Sequence, residues 1–207
     1  MHNKKIIKVC GMRQGSNIRQ VDQLGAELIG LIFYPLSSRY VTELPIYMPV
    51  YAKVVGVFVD ATIEFIKEHI EKYNLSYVQL HGNESPQFCR EVMELGVQII
   101  KAISVESRDD INNLSGYKKS CNLFVFDTKC KEYGGSGKQF NWDILKEYNG
   151  STPFLLSGGI DLESIEKVKN FSHPMLYGYD INSRFESEPG IKDCERIKLF
   201  INKINNN

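Results

Sequence analysis

The sequence lacks the features that mark several large protein classes. Its five cysteines, Cys10, Cys89, Cys121, Cys130 and Cys194, are widely spaced and form no C-x-x-C pair. An odd, scattered set fits neither a disulfide framework nor a zinc site, and a reducing cytoplasm is its simplest setting. Neither sign of charge is in excess, because 25 Lys and Arg offset 25 Asp and Glu. That balance argues against a strongly basic nucleic-acid binder, and no charge cluster suggests a polybasic membrane anchor. No apolar run approaches the roughly 20 residues needed to cross a bilayer. Residues 1–8 carry charge but no long apolar stretch before a small-residue cleavage site, so no secretory signal is expected. A glycine-rich dinucleotide loop is missing too: the first apolar run ends in Cys10-Gly11-Met12, not in G-x-G-x-x-G.

What is present is alternation. Short runs rich in Ile, Val, Leu and Phe give way to polar turns and then to amphipathic stretches. Strands are predicted over 6–10, 28–33, 53–59, 77–80, 98–103, 123–126, 154–156 and 175–179. Helices are predicted over 17–24, 62–73, 86–95, 108–116, 142–147, 162–168 and 193–204. Residues 44–50 contain Pro45 and Pro49 and leave helix 2 short or missing. Ser16, Ser85 and Asp161 read as N-caps, with Pro86 at a first helical position and Gly96 as a stop. Eight strands alternating with helices indicate parallel βαβ units. At about 26 residues per unit, the 207 residues fit a compact (β/α)8 TIM barrel better than a doubly wound sheet. No linker or composition shift divides residues 1–207, so one domain is expected.

In such a barrel the active site gathers at the C-terminal ends of the strands. The predicted strands end on Cys10, on Tyr34 to Arg39, on His81-Gly82, on Asp127-Thr128, on Ser157-Gly158-Gly159 and on Asp180 to Ser183. Cys10 alone reads as a small buried thiol. Lys8 lies two residues before it on the same strand face, and a nearby ammonium favours thiolate. His81 shares a face with Gln79, and Asp180 with Gly178. Glycine loops at 134–137 and 157–159, and a polar loop at 180–183, suit a phosphate, because backbone N–H groups can approach an anion closely there.

These residues resemble phosphoribosylanthranilate isomerase of tryptophan biosynthesis. The strings that carry the likeness run in order along nearly the whole chain. They are Lys8-Val9-Cys10-Gly11-Met12, Gly30 to Pro35 followed by Ser37-Ser38-Arg39, Val55 to Val59, Val78-Gln79-Leu80-His81-Gly82, Phe126-Asp127-Thr128, Gly134 to Gly137, Ser157 to Ile160, and Asp180 to Glu186. Each is weak alone; the ordered set is specific. The resemblance implies a (β/α)8 barrel and an Amadori rearrangement of an aminoaldose phosphate to an aminoketose phosphate. It assigns general base to Cys10, general acid to Asp127 and the grip on the anthranilate carboxylate to Arg39. His81 joins Arg39 as an expected substrate contact. Phosphate is expected on Gly135, Ser136 and Gly137, on Gly158 and Gly159, and on Asn182 and Ser183. No cofactor or metal is expected, and the partner is a small phosphorylated substrate, with the chain a monomer or homodimer. Leu36, where a lysine is expected, and Tyr179, where a small aliphatic residue is expected, depart from the family pattern. A histidine-pathway aminoaldose isomerase performs related chemistry, but that family resembles a two-aspartate enzyme and strand 1 here ends in cysteine. A catalytically silent phosphate-binding barrel is the reading outside enzymology.

Overall fold

The computed structural model describes residues 5–128 and 141–205. Eight parallel strands close into a barrel in chain order. They are β1 (Ile6–Val9), β2 (Leu28–Ile32), β3 (Lys53–Phe58), β4 (Tyr77–Leu80), β5 (Gln98–Val105), β6 (Leu123–Thr128), β7 (Phe154–Leu156) and β8 (Leu176–Ile181). Closure comes from β8 against β1, where Lys8 stands opposite Asp180. The helices are α1 (Gly15–Gln23), α2 (Ile63–Tyr73), α3 (Pro86–Met93), α4 (Asp109–Asn112), α5 (Ile165–Asn170) and α6 (Cys194–Asn205). Between β8 and α6 lies a small antiparallel hairpin, β9 (Glu186–Glu188) and β10 (Ile191–Lys192).

Both faces of the strands are buried, which explains their near-continuous apolar sequences. Residues two apart share a face. One face packs inside the barrel, with Leu28, Val55, Val57, Ile100, Ala102, Leu123, Val125 and Leu155 around Cys10. The other packs outward, where Ile7, Val9, Ile29, Leu31, Val54 and Val78 meet the helices. Cys10, Lys8 and Ile6 therefore point inward, as do Asp127 with Val125 and His81 with Tyr77. The strand-end polar groups emerge at one mouth.

Residues 33–52 contain no helix, in line with the two prolines there. Asp22 on α1 holds this stretch instead. Its buried carboxylate accepts from the Val50 and Ala52 backbone N–H groups at 2.8 and 2.7 Å and from the Tyr47 hydroxyl at 2.8 Å. Hydrogen bonds to a charged group are worth about 1.5–3 kcal/mol each. The backbone thus has a partner where a helix would have supplied one.

Several predicted boundaries move. α1 starts at Gly15 behind Gln14, so Ser16 lies inside the first turn and does not cap it. Ser85 does cap α3, accepting from the Phe88 N–H at 3.2 Å. The stretch predicted as a helix over 108–116 forms only α4 and a separate 3₁₀ turn, Ser115–Tyr117. Trp142–Glu147 is 3₁₀. α5 begins at Ile165, because Asp161 and Ser164 first close a turn on each other, Ser164 N–H to Asp161 Oδ1 at 2.7 Å. The Ser157-Gly158-Gly159 loop therefore leads into this turn and not directly into a helix, and Asp161 does not cap α5 as expected.

Candidate active site

Cys10 follows β1 directly, its N–H donating to the Ile181 carbonyl at 2.9 Å. Its thiol packs beside Gly30 of β2. A Cβ at Gly30 would stand 2.9 Å from Cys10 Sγ, so only glycine leaves the sulfur its place. One inward layer below, Lys8 is fully buried, and its Nζ donates to Asp180 Oδ1 at 2.9 Å. Burial works to lower the Lys8 ammonium, but Asp180 and Cys10 outweigh it, and Lys8 stays charged. Burial pushes the Cys10 thiol up, and Lys8 offsets only part of that. The expectation that Lys8 favours thiolate is thus half met: the ammonium is in place, but Asp180 already neutralises it. The free protein holds Cys10 as the thiol.

Asp127 lies within β6 and faces the same mouth, with 30% of its side chain exposed. Burial pushes its carboxyl up to about 6, against the pull of the Thr128 N–H, which donates to Oδ1 at 2.8 Å; Asp180 adds to the rise and Lys8 and Ser157 oppose it. The same Lys8–Asp180 pair therefore acts on both Cys10 and Asp127.

His81 Nε2 stands 3.8 Å from Asp127 Oδ2. Burial, then the charges of Lys101 and Lys8, lower the imidazole to about 4. At neutral pH this contact is between a neutral ring and a carboxylate, not an ion pair. The amide nitrogen of the wholly buried Gln79 faces His81 Nδ1 at 2.9 Å. An amide N–H there makes Nδ1 the acceptor and leaves the ring proton on Nε2, the nitrogen nearer Asp127. The loop that carries His81 is fixed by Lys101, whose Nζ donates to the Leu80 and Gly82 carbonyls and to Glu84 Oε2 at 3.1, 2.8 and 3.0 Å.

Arg39 is buried and already engaged. Its Nε donates to Glu186 Oε1 and Oε2 at 2.9 and 3.1 Å, and its Nη2 to Oε2 at 2.6 Å. One edge of the guanidinium thus belongs to the protein. A substrate carboxylate would have to meet the other end.

The model of the N-(5'-phosphoribosyl)anthranilate (PRA) isomerase family matches residues 7–203. The chain belongs to the N-(5'-phosphoribosyl)anthranilate isomerase family. It is 48% identical over 205 residues to the N-(5'-phosphoribosyl)anthranilate isomerase of Parabacteroides distasonis, covering 96% of this chain and 93% of that one. The solved phosphoribosyl anthranilate isomerase of Thermotoga maritima superposes with a TM-score of 0.83 at 32% identity, covering 97% and 98% of the two chains. A similar structure, TM-score 0.81 at 28% identity over 97% and 98%, is a phosphoribosyl anthranilate isomerase in complex with reduced 1-(o-carboxyphenylamino)-1-deoxyribulose 5-phosphate. This chain is an isomerase of tryptophan biosynthesis.

In this isomerase the expected phosphate positions are divided. Gly135, Ser136 and Gly137 lie outside the described residues. Gly158 and Gly159 both adopt left-handed backbone, with φ of 80° and 72°. A Cβ on Gly158 would collide with the Thr128 hydroxyl, so the loop is both strained for other residues and closely packed. Asn182 Oδ1 accepts from Lys192 Nζ at 2.7 Å, and Ser183 opens the 3₁₀ turn Ser183–Phe185. Among the described residues no group of three or more His, Cys, Asp and Glu could hold a metal ion, and no helix is long and apolar enough to cross a membrane.

Glu186 and Lys192 join the site without having been given a role from sequence, and Asp180, read there only as a polar strand end, joins it as the partner of Lys8. Glu186 and Lys192 are both buried and 2.6 Å apart. A signal was available in Pro189-Gly190, a turn dipeptide that marks the β9–β10 hairpin bringing both to the mouth. Asp180 shares its strand face with Gly178, which places it inward, but its partner Lys8 is 172 residues away.

Proposed function

We propose that this chain catalyses the cofactor-independent Amadori rearrangement of N-(5-phosphoribosyl)anthranilate to 1-(2-carboxyphenylamino)-1-deoxyribulose 5-phosphate, with Cys10 as general base and Asp127 as general acid. The observation that carries the reading is one inward-facing cluster at the barrel mouth: a thiol and a raised carboxyl, both acted on by the buried Lys8–Asp180 pair.

Asp127, protonated, gives its proton to the furanose ring oxygen as the C1′–O bond breaks and the anthranilate nitrogen forms a Schiff base. Thiolate at Cys10 then takes the C2′ proton, and the electron pair flows toward nitrogen to give an enolamine. Reprotonation at C1′ from the Cys10 thiol, with the C2′ hydroxyl proton passing to Asp127, yields the ketone and restores both groups. Each such acid or base contributes about 10²–10⁴-fold. In the free protein the single shared proton sits mainly on Cys10, because its thiol is raised and Asp127 lies near 6. The reactive arrangement is the minor tautomer. An anionic substrate closing the mouth pushes the carboxyl further up and shifts the proton toward Asp127.

The neutral His81 is suited to donate from Nε2 to a substrate oxygen. The free end of Arg39 receives the anthranilate carboxylate. Backbone N–H groups at 158–159 and 182–183 receive the phosphate, a role the family resemblance also gives to Gly135, Ser136 and Gly137. The reaction is placed in the cytoplasm, where the scattered thiols stay reduced.

The experiment is consumption of the fluorescent substrate by protein dialysed against chelator. The rate should be undiminished, and activity that returns only with added divalent metal would contradict the reading. In the same assay Arg39→Ala should mainly raise KM, by about 10–150-fold for a lost charged contact of roughly 1.5–3 kcal/mol. If kcat collapses while KM stays put, Arg39 acts on the chemistry instead.

A further inference from the structure

We propose that Glu186 and Lys192 are positioning residues for substrate binding: Glu186 fixes the Arg39 guanidinium edge-on, and Lys192 supplies the positive charge that Glu186 cancels. The three groups then present one net positive charge to the incoming carboxylate. The inference rests on Arg39 being the carboxylate grip.

The geometry supports a built device. Glu186 takes the Nε–Nη2 edge of Arg39, which sets the plane of the guanidinium and leaves Nη1 for a ligand. A lone Arg39–Glu186 pair would be neutral and would offer a carboxylate little Coulomb attraction. Lys192, with its side chain fully buried, donates to the same Glu186 at Oε1, 2.6 Å, and to Asn182 Oδ1, 2.7 Å. Its backbone is clamped on both sides by Asn17, the Lys192 N–H donating to Oδ1 at 2.7 Å and the carbonyl accepting from Nδ2 at 2.9 Å. The Gly190 N–H also donates to Glu186 Oε1, at 3.1 Å, so the hairpin turn itself holds the carboxylate. A buried ammonium is costly unless it is paired and hydrogen-bonded; Glu186 and Asn182 do both for Lys192, and its charge restores the cationic character of the cluster.

The charged and titratable groups acting on Lys192 include Glu186, Arg39, Cys10 and Asp180 of β8. Burial pulls its ammonium down to about 8, against Glu186 and Cys10, which raise it, while Arg39 lowers it further. The net charge of the cluster therefore changes within an accessible pH range.

Charge counting supplies the test, with KM and kcat read from the fluorescence of the substrate. Lys192→Met makes the cluster neutral and should raise KM about tenfold, a difference of about 1.4 kcal/mol in binding, with a smaller effect on kcat. Adding Glu186→Gln to it returns the net charge to one and should bring KM most of the way back, which a purely structural lysine would not do. A double variant as weak as Lys192→Met, or weaker, overturns the proposal. Arg39→Ala separates the two levels. KM unmoved there overturns the carboxylate reading and this inference with it. KM raised there but unmoved in Lys192→Met overturns this inference alone. Should circular dichroism show Lys192→Met unfolded, Lys192→Arg decides. Wild-type KM should climb as pH passes about 8, whereas Lys192→Arg, whose charge persists, should stay flat. A parallel climb in both overturns the proposal.

Discussion

Replacing Cys10 by serine should lower kcat at least about 100-fold while leaving KM nearly unchanged. The substitution keeps size and hydrogen-bonding capacity. It exchanges a thiol of reference pKa about 8.5 for a hydroxyl that hardly ionises. The burial that already pushes the thiol up would act on the hydroxyl as well. The Lys8–Asp180 pair and the contact with Gly30 stay intact, so the variant should fold normally, which circular dichroism can verify. Steady-state kinetics with the fluorescent substrate then give the answer. Turnover near the wild-type rate would make Cys10 a packing residue.

Asp127→Asn should cost about 10²–10⁴-fold in kcat, because the amide cannot hand a proton to the ring oxygen. It also bears on the pH profile. Below about 6 both Cys10 and Asp127 are protonated, so no thiolate is available and kcat/KM should fall as pH drops through that value. Above 6 one proton is shared, and the fraction with thiolate and carboxylic acid together stays constant until the raised thiol value is reached. The acid limb thus reports Asp127 although Asp127 is the acid. In Asp127→Asn the residual activity should lose that limb. A limb near 6 that survives in the variant would belong to another group, the substrate phosphate included, and would remove Asp127 from this role.

The barrel was readable because its strands are apolar on both faces and its turns are polar. Shared faces followed from parity, and the structure turns the faces of Lys8 with Cys10 and of Leu123 with Val125 into the barrel. The missing second helix was readable from Pro45 and Pro49. Helix starts were less so. Asn17, predicted as the first residue of a helix behind Ser16, instead sits within α1, with its side chain bridging to the Lys192 backbone. The 108–116 stretch breaks at Asn112-Asn113 ahead of Gly116, where helix propensity is poor. At the candidate site, Cys10, Asp127, His81 and Arg39 were visible at or after strand ends, and the family resemblance supplied their expected roles. Their electrostatic setting could not. The Lys8–Asp180 bond depends on how the barrel closes, and the Arg39–Glu186 clamp joins residues 147 positions apart. Arg39, expected to grip a carboxylate, already has one edge of its guanidinium taken.

The acid–base pair is tested most directly by a single-turnover measurement on the Cys10→Ala/Asp127→Asn double variant. Enzyme in excess is mixed with fluorescent substrate, and the decay is compared with wild type and with buffer alone. With both proton carriers gone and the fold confirmed by circular dichroism, consumption should be no faster than about that left by binding and positioning alone, several powers of ten below wild type. Decay within about tenfold of wild type, roughly 1.4 kcal/mol of barrier, would show that the rearrangement does not run through Cys10 and Asp127.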